Sequence, residues 1–462
     1  MKQISILIVA CICILACQQK PQQQAVTKIE HYDLIQMKDS GVLVALTLNS
    51  SISYFDYRGE PMGFQYELAK QFAQSLGLKL ELKIAKSTKD LVDMLLAGEG
   101  DLIAYPLPNT KEFKDTLKFC GEDIITHQVL VQRNGNKKQK AITNVTELIN
   151  KNVYAKSGKY LDRLHNLNKE LGDGILIHEV ANDSISIEDL IMQVSTGVID
   201  YTLCDNDLAR LNKTYYTNLD IHLPVSFDQR ASWAVRKNAP LLAEAANQWH
   251  KENKTSPAYK ASTKRYFENS KRLPHGPILS IKDGKISHFD HLFKKYAPEV
   301  GWDWRIIASL AYNESNFDTT AVSWVGAKGL MQLMPRTAKA MGIPEGKEQN
   351  AEESVKAATK YLSQLGRSFS KITDPNEKMK FVLASYNAGI GHIFDAMALA
   401  EKYGKNKYVW DDNVETFILL KSNEEYFNDP VCKNGYFRGR ETYNFVKDIL
   451  GRAEMYKQKI KD

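Results

Sequence analysis

The sequence predicts a multidomain chain in which a two-lobed α/β region precedes an all-helical domain. Three observations carry this. From Gly41 to Phe267, short apolar runs alternate with amphipathic helical patterns, as in parallel strands joined by helical crossovers. At Arg272-Leu273-Pro274-His275-Gly276-Pro277 regular structure breaks. Beyond that break helical patterns dominate and strand signals are scarce, and 462 residues exceed what one hydrophobic core organises.

In the first lobe, Val42 to Leu48 reads as a strand and Phe64 to Leu76 as a helix, with Leu68, Phe72 and Leu76 four apart on one face. Leu78 to Ile84 alternates as a second strand. Leu91, Leu95 and Leu96 mark a helix that stops at Gly98 and Gly100, before the short strand Leu102-Ile103-Ala104. The second lobe repeats the scheme with a strand at Val153-Tyr154-Ala155, a turn at Ser157-Gly158, a helix from Tyr160, and another helix leading to Gly197 and Ile199-Asp200-Tyr201. Two α/β lobes of this kind predict a ligand cleft between them. A helix-rich stretch from Ala239 to Phe267 closes the region. The later helices are expected at Asp303 to Tyr312, Pro335 to Met341, Ala351 to Leu365, Glu377 to Asn387 and Glu441 to Lys459.

With 43% apolar and 25% charged residues the chain is ordinary globular protein, and a net charge of +6 is too mild to argue for nucleic acid, though an acidic polymer is compatible. Lys2 precedes an apolar run from Ile4 to Ala16, too short to span a bilayer and of signal-sequence type. The run ends in Ile14-Leu15-Ala16-Cys17, which resembles the lipobox of bacterial lipoproteins, and the resemblance implies lipidation of Cys17. The alternative is a cleaved signal beside an incidental buried cysteine. Gln18-Gln19-Lys20-Pro21-Gln22-Gln23-Gln24 cannot bury a core and reads as a tether. Cys120, Cys204 and Cys432 remain for the folded part. They give no framework or metal pattern, so free thiols are expected, with a Cys120 to Cys204 bridge as the alternative. His288 and His291 have no third ligand at a suitable spacing, so neither metal nor cofactor is expected.

The chemistry is expected on the helix that Asp303 starts. Ile307, Leu310 and Ala311 share a face, and Glu314 continues it near the carboxyl end. Desolvation and the negative end of the helix dipole both raise such a carboxyl's pKa. A carboxylic acid still protonated near neutral pH is what cleavage of a glycosidic bond requires. A helix-end surface glutamate is the competing reading from this stripe alone. Gly326-Ala327-Lys328-Gly329-Leu330-Met331-Gln332-Leu333-Met334-Pro335 follows, with glycines that allow close backbone approach and a proline suited to opening a helix. Ala384-Ser385-Tyr386-Asn387-Ala388-Gly389 ends a later helix with a hydroxyl, an amide and a capping glycine.

In order, Glu314-Ser315, Gly329-Leu330-Met331-Gln332, Tyr386-Asn387-Ala388-Gly389 and Glu441-Thr442-Tyr443 resemble the four motifs of lysozyme-like lytic transglycosylases, spread over about 130 residues. The resemblance implies that Glu314 is the catalytic acid/base. It places Ser315, Met331 and Gln332 against the sugar or its acetamido group and Tyr386 and Asn387 along the cleft, with Tyr443 orienting Glu314. Asn49-Ser50-Ser51, Ser53-Tyr54-Phe55 and Gly63-Phe64-Gln65-Tyr66-Glu67-Leu68-Ala69 are similar to the solute-binding domain of the membrane-bound lytic murein transglycosylase F family, which extends the likeness over nearly the whole mature chain. By that likeness the α/β region is a periplasmic-binding-protein-like regulatory domain, with Tyr54, Ser157, Gly158 and Asp205 as its ligand site. The helical part is then a lysozyme-like (SLT) catalytic domain. Thr110-Lys111-Glu112 is followed by Phe113, where amino-acid-binding relatives carry a carboxylate-gripping arginine, so a free amino acid is not the expected ligand.

The expected organisation is a signal peptide at 1–16, a tether at 17–35, the two-lobed regulatory domain at 36–270, a linker at 271–285 and the transglycosylase domain at 286–462. The expected partners are peptidoglycan glycan strands, muropeptides or stem peptides at the first domain, and a membrane through the lipid. Gln18 is not the aspartate that retains some lipoproteins in the inner membrane, so an outer-membrane anchor facing the periplasm is expected. Most glycosidases need a second carboxylate. None is evident beside Glu314, since Asp318 lies in a turn, and a lone acid suits a transglycosylase. Its rivals are a lysozyme-like hydrolase and a lipid-anchored receptor whose helical domain only grips glycan.

Overall fold

The computed structural model describes residues 32–135, 140–269 and 284–460. The expected signal sequence, Cys17, and most of the tether and linker lie outside them. The strands are β1 (Val42–Leu48), β2 (Phe55–Tyr57), β3 (Glu60–Met62), β4 (Lys79–Ala85), β5 (Leu102–Pro108), β6 (Leu117–Thr126), β7 (Gln128–Arg133), β8 (Asn152–Lys156), β9 (Leu176–Val180), β10 (Tyr201–Asp205), β11 (Leu219–Asp220) and β12 (Gln229–Arg236). The chain separates into two compact units. One takes the chain up to Thr47, Ala69–Ile124 and Ala231–Lys254; the other takes Leu48–Leu68, Ile125–Arg230 and everything from Thr255 onward.

The first unit is built on a sheet of order β4-β1-β5-β12-β6. β1 and β5 are parallel, with Ala45 opposite Leu102, whereas β12 returns antiparallel to β5, so the sheet is mixed rather than wholly parallel. Leu43, Ala45, Leu46, Leu102 and Ile103 are fully buried. Asp33 shows how backbone donors are satisfied at a helix start: its carboxylate accepts from the Leu241 and Leu242 amides at 2.8 and 2.9 Å, in the first turn of the Pro240–Asn253 helix. Cys120 and Cys204 are buried free thiols and Cys432 is a half-buried one.

The second unit holds two cores. One surrounds the sheet β11-β7-β10-β8-β9, in which β8 is parallel to both β9 and β10 and β7 is antiparallel to β10. Its helices are Lys159–Glu170, Ile187–Thr196 and Asn206–Tyr215. The other core is all helical: Trp304–Ser315 packs along Gly439–Lys459 and beside Asp290–Tyr296, Gly439–Lys459 also packs against Pro375–Ala388 and Glu415–Leu420, and Pro375–Ala388 against Ala351–Ser368 and Ile390–Lys402. The sequence pattern shows one apolar face on Trp304–Ser315, but the helix is buried nearly all round, including Ser309, whose hydroxyl donates to the Ile449 carbonyl at 2.9 Å. A polar residue there is tolerated because its hydrogen bond is made inside the core. Among the described residues no helix is long and apolar enough to cross a membrane, and no cluster of side chains is arranged to hold a metal ion.

Candidate active site

Asp303 caps the Trp304–Ser315 helix by accepting from the Arg305 amide at 2.8 Å, and Asn316 ends it in the left-handed region at φ 52°. Glu314 therefore sits in the last turn of a buried helix, with its side chain 6% exposed. Burial pushes its pKa upward, and the Arg58 guanidinium opposes that push without cancelling it.

Arg58 comes from the tight hairpin between β2 and β3. It lies at φ 54° and Gly59 at φ 78°, the two successive positive values of a mirror-image hairpin turn, and Asp56 Oδ1 accepts from the Gly59 amide at 2.8 Å. The Arg58 side chain reaches into the helical core. Nη2 donates to Glu314 Oε1 and Oε2 at 3.0 and 3.3 Å, Nη1 to the Gln332 carbonyl at 2.9 Å, and Nε to the Asn387 carbonyl at 2.9 Å. Gly389 makes room for this, since a Cβ there would stand 3.3 Å from Arg58 Cα. Burial disfavours the guanidinium charge, but Glu314 outweighs it and holds Arg58 firmly cationic.

The turn also rests on a buried polar cluster. Lys421, fully buried, donates to Asp395 Oδ2 at 2.6 Å and lies 3.2 Å from His392 Nδ1, while His392 Nε2 lies 3.3 Å from the Asp56 carbonyl. Burial first, and Lys421 second, push the His392 pKa down to about 3.

The expected substrate residues gather around Glu314, but not all in the expected way. Tyr386 is buried and its hydroxyl donates to the Met331 carbonyl at 2.6 Å. Ser315 is a packing residue here: its hydroxyl donates to the Leu330 and Ala311 carbonyls, at 2.7 and 3.2 Å. The Met331 side chain is fully buried in the core. Gln332 lies at φ 46°, its amide nitrogen donating to the Gly329 and Ala321 carbonyls while Oε1 is buried without a hydrogen-bond partner. Asn387 is fixed by Thr442, which donates to its Oδ1 at 2.6 Å. Tyr443 makes no hydrogen bond to Glu314; its ring instead lies under Arg440, so the group that orients the carboxyl in this structure is Arg58. Gly329 allows close approach of the chain at Glu348, whose carbonyl would lie 2.3 Å from a Cβ, rather than approach of a ligand. Asp318 accepts from Thr320 in a turn, and among the described residues no second carboxylate interacts with Glu314.

Of the expected regulatory residues, Gly158 starts the Lys159–Glu170 helix at φ 92°, and Asp205 accepts from Lys159 Nζ at 2.5 Å and from the Tyr160 hydroxyl at 3.0 Å. Ser157 donates to Glu179 at 2.8 Å. Tyr54 packs edge-on against Tyr66 and joins neither group. Sequence reasoning missed Arg58 and a second set of long-range contacts: Tyr436 bonds Glu188, Arg440 meets Asp189 at 3.1 Å, and Arg438 donates to Asn212 at 3.2 Å. The hairpin that carries Arg58 and Gly59 is too short to show in the sequence pattern, and nothing local marks the arginine's partner 256 residues away.

A family model described as "Transglycosylase SLT domain" matches residues 291–409, and one described as "Bacterial extracellular solute-binding proteins, family 3" matches 43–269. Among curated proteins, the chain is 33% identical over 430 residues to "Membrane-bound lytic murein transglycosylase F" of Desulfosudis oleivorans, covering 92% of each chain. It is 31% identical to the protein of the same name in Shewanella woodyi, covering 84% of this chain and 79% of that one. Among solved structures, an ancestral cationic amino acid solute-binding protein aligns with a TM-score of 0.44 at 20% identity, over 51% of this chain and 99% of that one. The second substrate-binding domain of Lactococcus lactis GlnP, in its open conformation, aligns with a TM-score of 0.42 at 17% identity, over 50% and 96%.

Proposed function

Because the chain belongs to the membrane-bound lytic murein transglycosylase F family, it is a lytic transglycosylase acting on peptidoglycan, and we propose that Glu314 is its single acid/base and that residues 55–60 gate access to it. The observation that carries the proposal is the buried Glu314 carboxyl held by the Arg58 guanidinium, with no second carboxylate interacting with it among the described residues. On this reading Glu314 protonates the oxygen of the bond between N-acetylmuramic acid and N-acetylglucosamine as that bond breaks, and the acetamido group or a short-lived cation bridges the step. Glu314 then takes the proton of the muramoyl C6 hydroxyl, whose oxygen closes on C1. The product carries a 1,6-anhydro ring and no water is consumed. Gln332, Tyr386 and Asn387 shape the cleft, and no cofactor or metal enters the scheme.

While Arg58 lies on Glu314, a glycan oxygen cannot. The closed arrangement suits a sensor. We assign the two-lobed domain the role of binding a cell-wall fragment, such as a muropeptide or stem peptide, through Tyr54, Ser157, Gly158 and Asp205, and of withdrawing the turn. The chain between β1 and the Phe64–Ser75 helix carries that turn, so a shift in the first lobe has a covalent route to Arg58. Lipidation at Cys17 would hold the enzyme at the outer membrane, facing its substrate from the periplasm. The test is mass spectrometry of soluble products from purified peptidoglycan. Anhydro-muropeptides from the parent and at least a hundredfold fewer from Glu314→Gln are expected, the usual range for removal of a general acid. Products with reducing ends would make the enzyme a hydrolase. Equal turnover with and without added muropeptides would remove the sensor role.

A further inference from the structure

The turn over Glu314 also covers two side chains for which the acid/base scheme has no use. One is Trp324, in the loop between the Glu314 helix and the Gly329 turn. The Tyr57 ring lies against it at 6.2 Å between centroids, tilted by 51°. The Tyr266 ring also meets it edge-on at 5.8 Å. Trp324 borders a cavity of about 30 Å³, walled by Tyr57 of the turn together with Tyr215, Asn387 and Thr442, with room for roughly one water. The other is His392, 1% exposed beneath the Asp56 carbonyl. Its tautomer is fixed by its neighbour: an ammonium is a donor only, so Lys421 at 3.2 Å makes Nδ1 the acceptor, and the proton lies on Nε2. Nε2 is therefore a donor aimed at whatever occupies the position of the Asp56 carbonyl.

Residues 56–58 thus meet the floor of the cleft through donors directed at two backbone carbonyls and a carboxyl, an acceptor placed on a ring N–H, and a flat apolar ring against an indole. An N-acetylated pyranose presents the same set: hydroxyl and amide N–H donors, ring and acetamido oxygens as acceptors, and a face of C–H groups. Resting on the reading of Glu314 as the acid/base, we propose that the turn stands in for the glycan, and that Trp324 and His392 are glycan-binding residues, Trp324 as a stacking platform and His392 as a donor to a sugar or acetamido oxygen.

The experiment uses uncross-linked glycan strands from purified peptidoglycan and full-length protein in an Arg58→Ala background, reading kcat and KM. Equilibrium binding of the same strands is read in Arg58→Ala/Glu314→Gln protein. Trp324→Ala is expected to raise KM and weaken binding roughly five- to tenfold with kcat within about twofold. Trp324→Leu, which keeps apolar volume in the loop, should show most of the same loss. His392→Phe should weaken binding by a similar factor and His392→Gln, which keeps a donor, should recover most of it. Binding unchanged in both Trp324 variants, or strands that fail to bind when Arg58 is alanine, would overturn the proposal. Strand binding that depends on Trp324 while Glu314→Gln leaves turnover untouched would uphold it and sink the acid/base reading instead.

Discussion

Arg58 and Glu314 form a buried ion pair, which on the proposed reading keeps glycan off the carboxyl. The Arg58 Nη2 is shared between both Glu314 oxygens while Nη1 and Nε hold backbone carbonyls, and hydrogen bonds to charged groups of this kind stabilise by about 1.5–3 kcal/mol each. Arg58→Ala is therefore expected to raise turnover of peptidoglycan by roughly tenfold or more in the absence of any activator, measured as release of soluble fragments. A fall in turnover would show that Arg58 serves catalysis instead. His392 sets a pH limit from the same region. Its pKa is pushed down to about 3, and that of His250, buried in the first unit, to about 4, both from the ordinary 6.5 and both chiefly by burial. Below pH 6.5 the unfolded chain takes up protons that the folded histidines refuse, so stability is greatest above that value and falls as pH drops toward 4. A loss of at least about 1 kcal/mol between pH 7 and 4.5 is expected in urea unfolding, and His392→Gln should flatten the slope.

The helix Trp304–Ser315 is the element on which the site depends, and its start is legible before its role is. Asp303 is a capping residue by type and position, and it does cap. It also holds Arg305, whose guanidinium reaches the Ile460 carbonyl at 2.6 Å and so ties the first turn to the chain's last helix. Asp303→Ala should cost about 1–2 kcal/mol of stability by chemical denaturation, at the upper end for a cap because Arg305 loses its partner. β1, by its apolar run, and Pro335–Met341, by the proline that opens it, fall where the sequence puts them. The helices Ile390–Lys402 and Glu415–Leu420 were not read from the sequence. His392 and Asp395 within the first, and Lys421 at the end of the second, interrupt their apolar patterns with polar groups that only tertiary pairing makes compatible with burial. The hairpin β2–β3 was missed for a related reason: strands of three residues are too short to show alternation.

Across the whole molecule, the second unit joins the sheet-bearing lobe to the helical domain through Tyr436, Arg438 and Arg440. Glu188 and Asp189, in the first turn of Ile187–Thr196, serve both as favourable charges at a helix start and as partners for these residues. That shared use couples the lobe to the segment preceding Glu441-Thr442-Tyr443. Arg440→Ala should lower stability by about 1–2 kcal/mol and raise basal turnover by a smaller factor than Arg58→Ala does. Unchanged turnover at lowered stability would mean that these contacts only hold the fold.

The division into an α/β region and a helical one, the position of the Glu314 helix and its cap, and the set of motifs around it were all legible in the chain before folding. These are local matters of periodicity, turn chemistry and residue type, and they are written in neighbouring residues. Only the folded chain shows that the Ser315 hydroxyl bonds the Leu330 carbonyl, that the Met331 side chain lies in the core, that Tyr443 leaves Glu314 unbonded, and that a guanidinium from residue 58 lies on the carboxyl. Each of these depends on which distant groups share one buried space, where a charge or hydroxyl must find whichever partner the folded chain brings within reach.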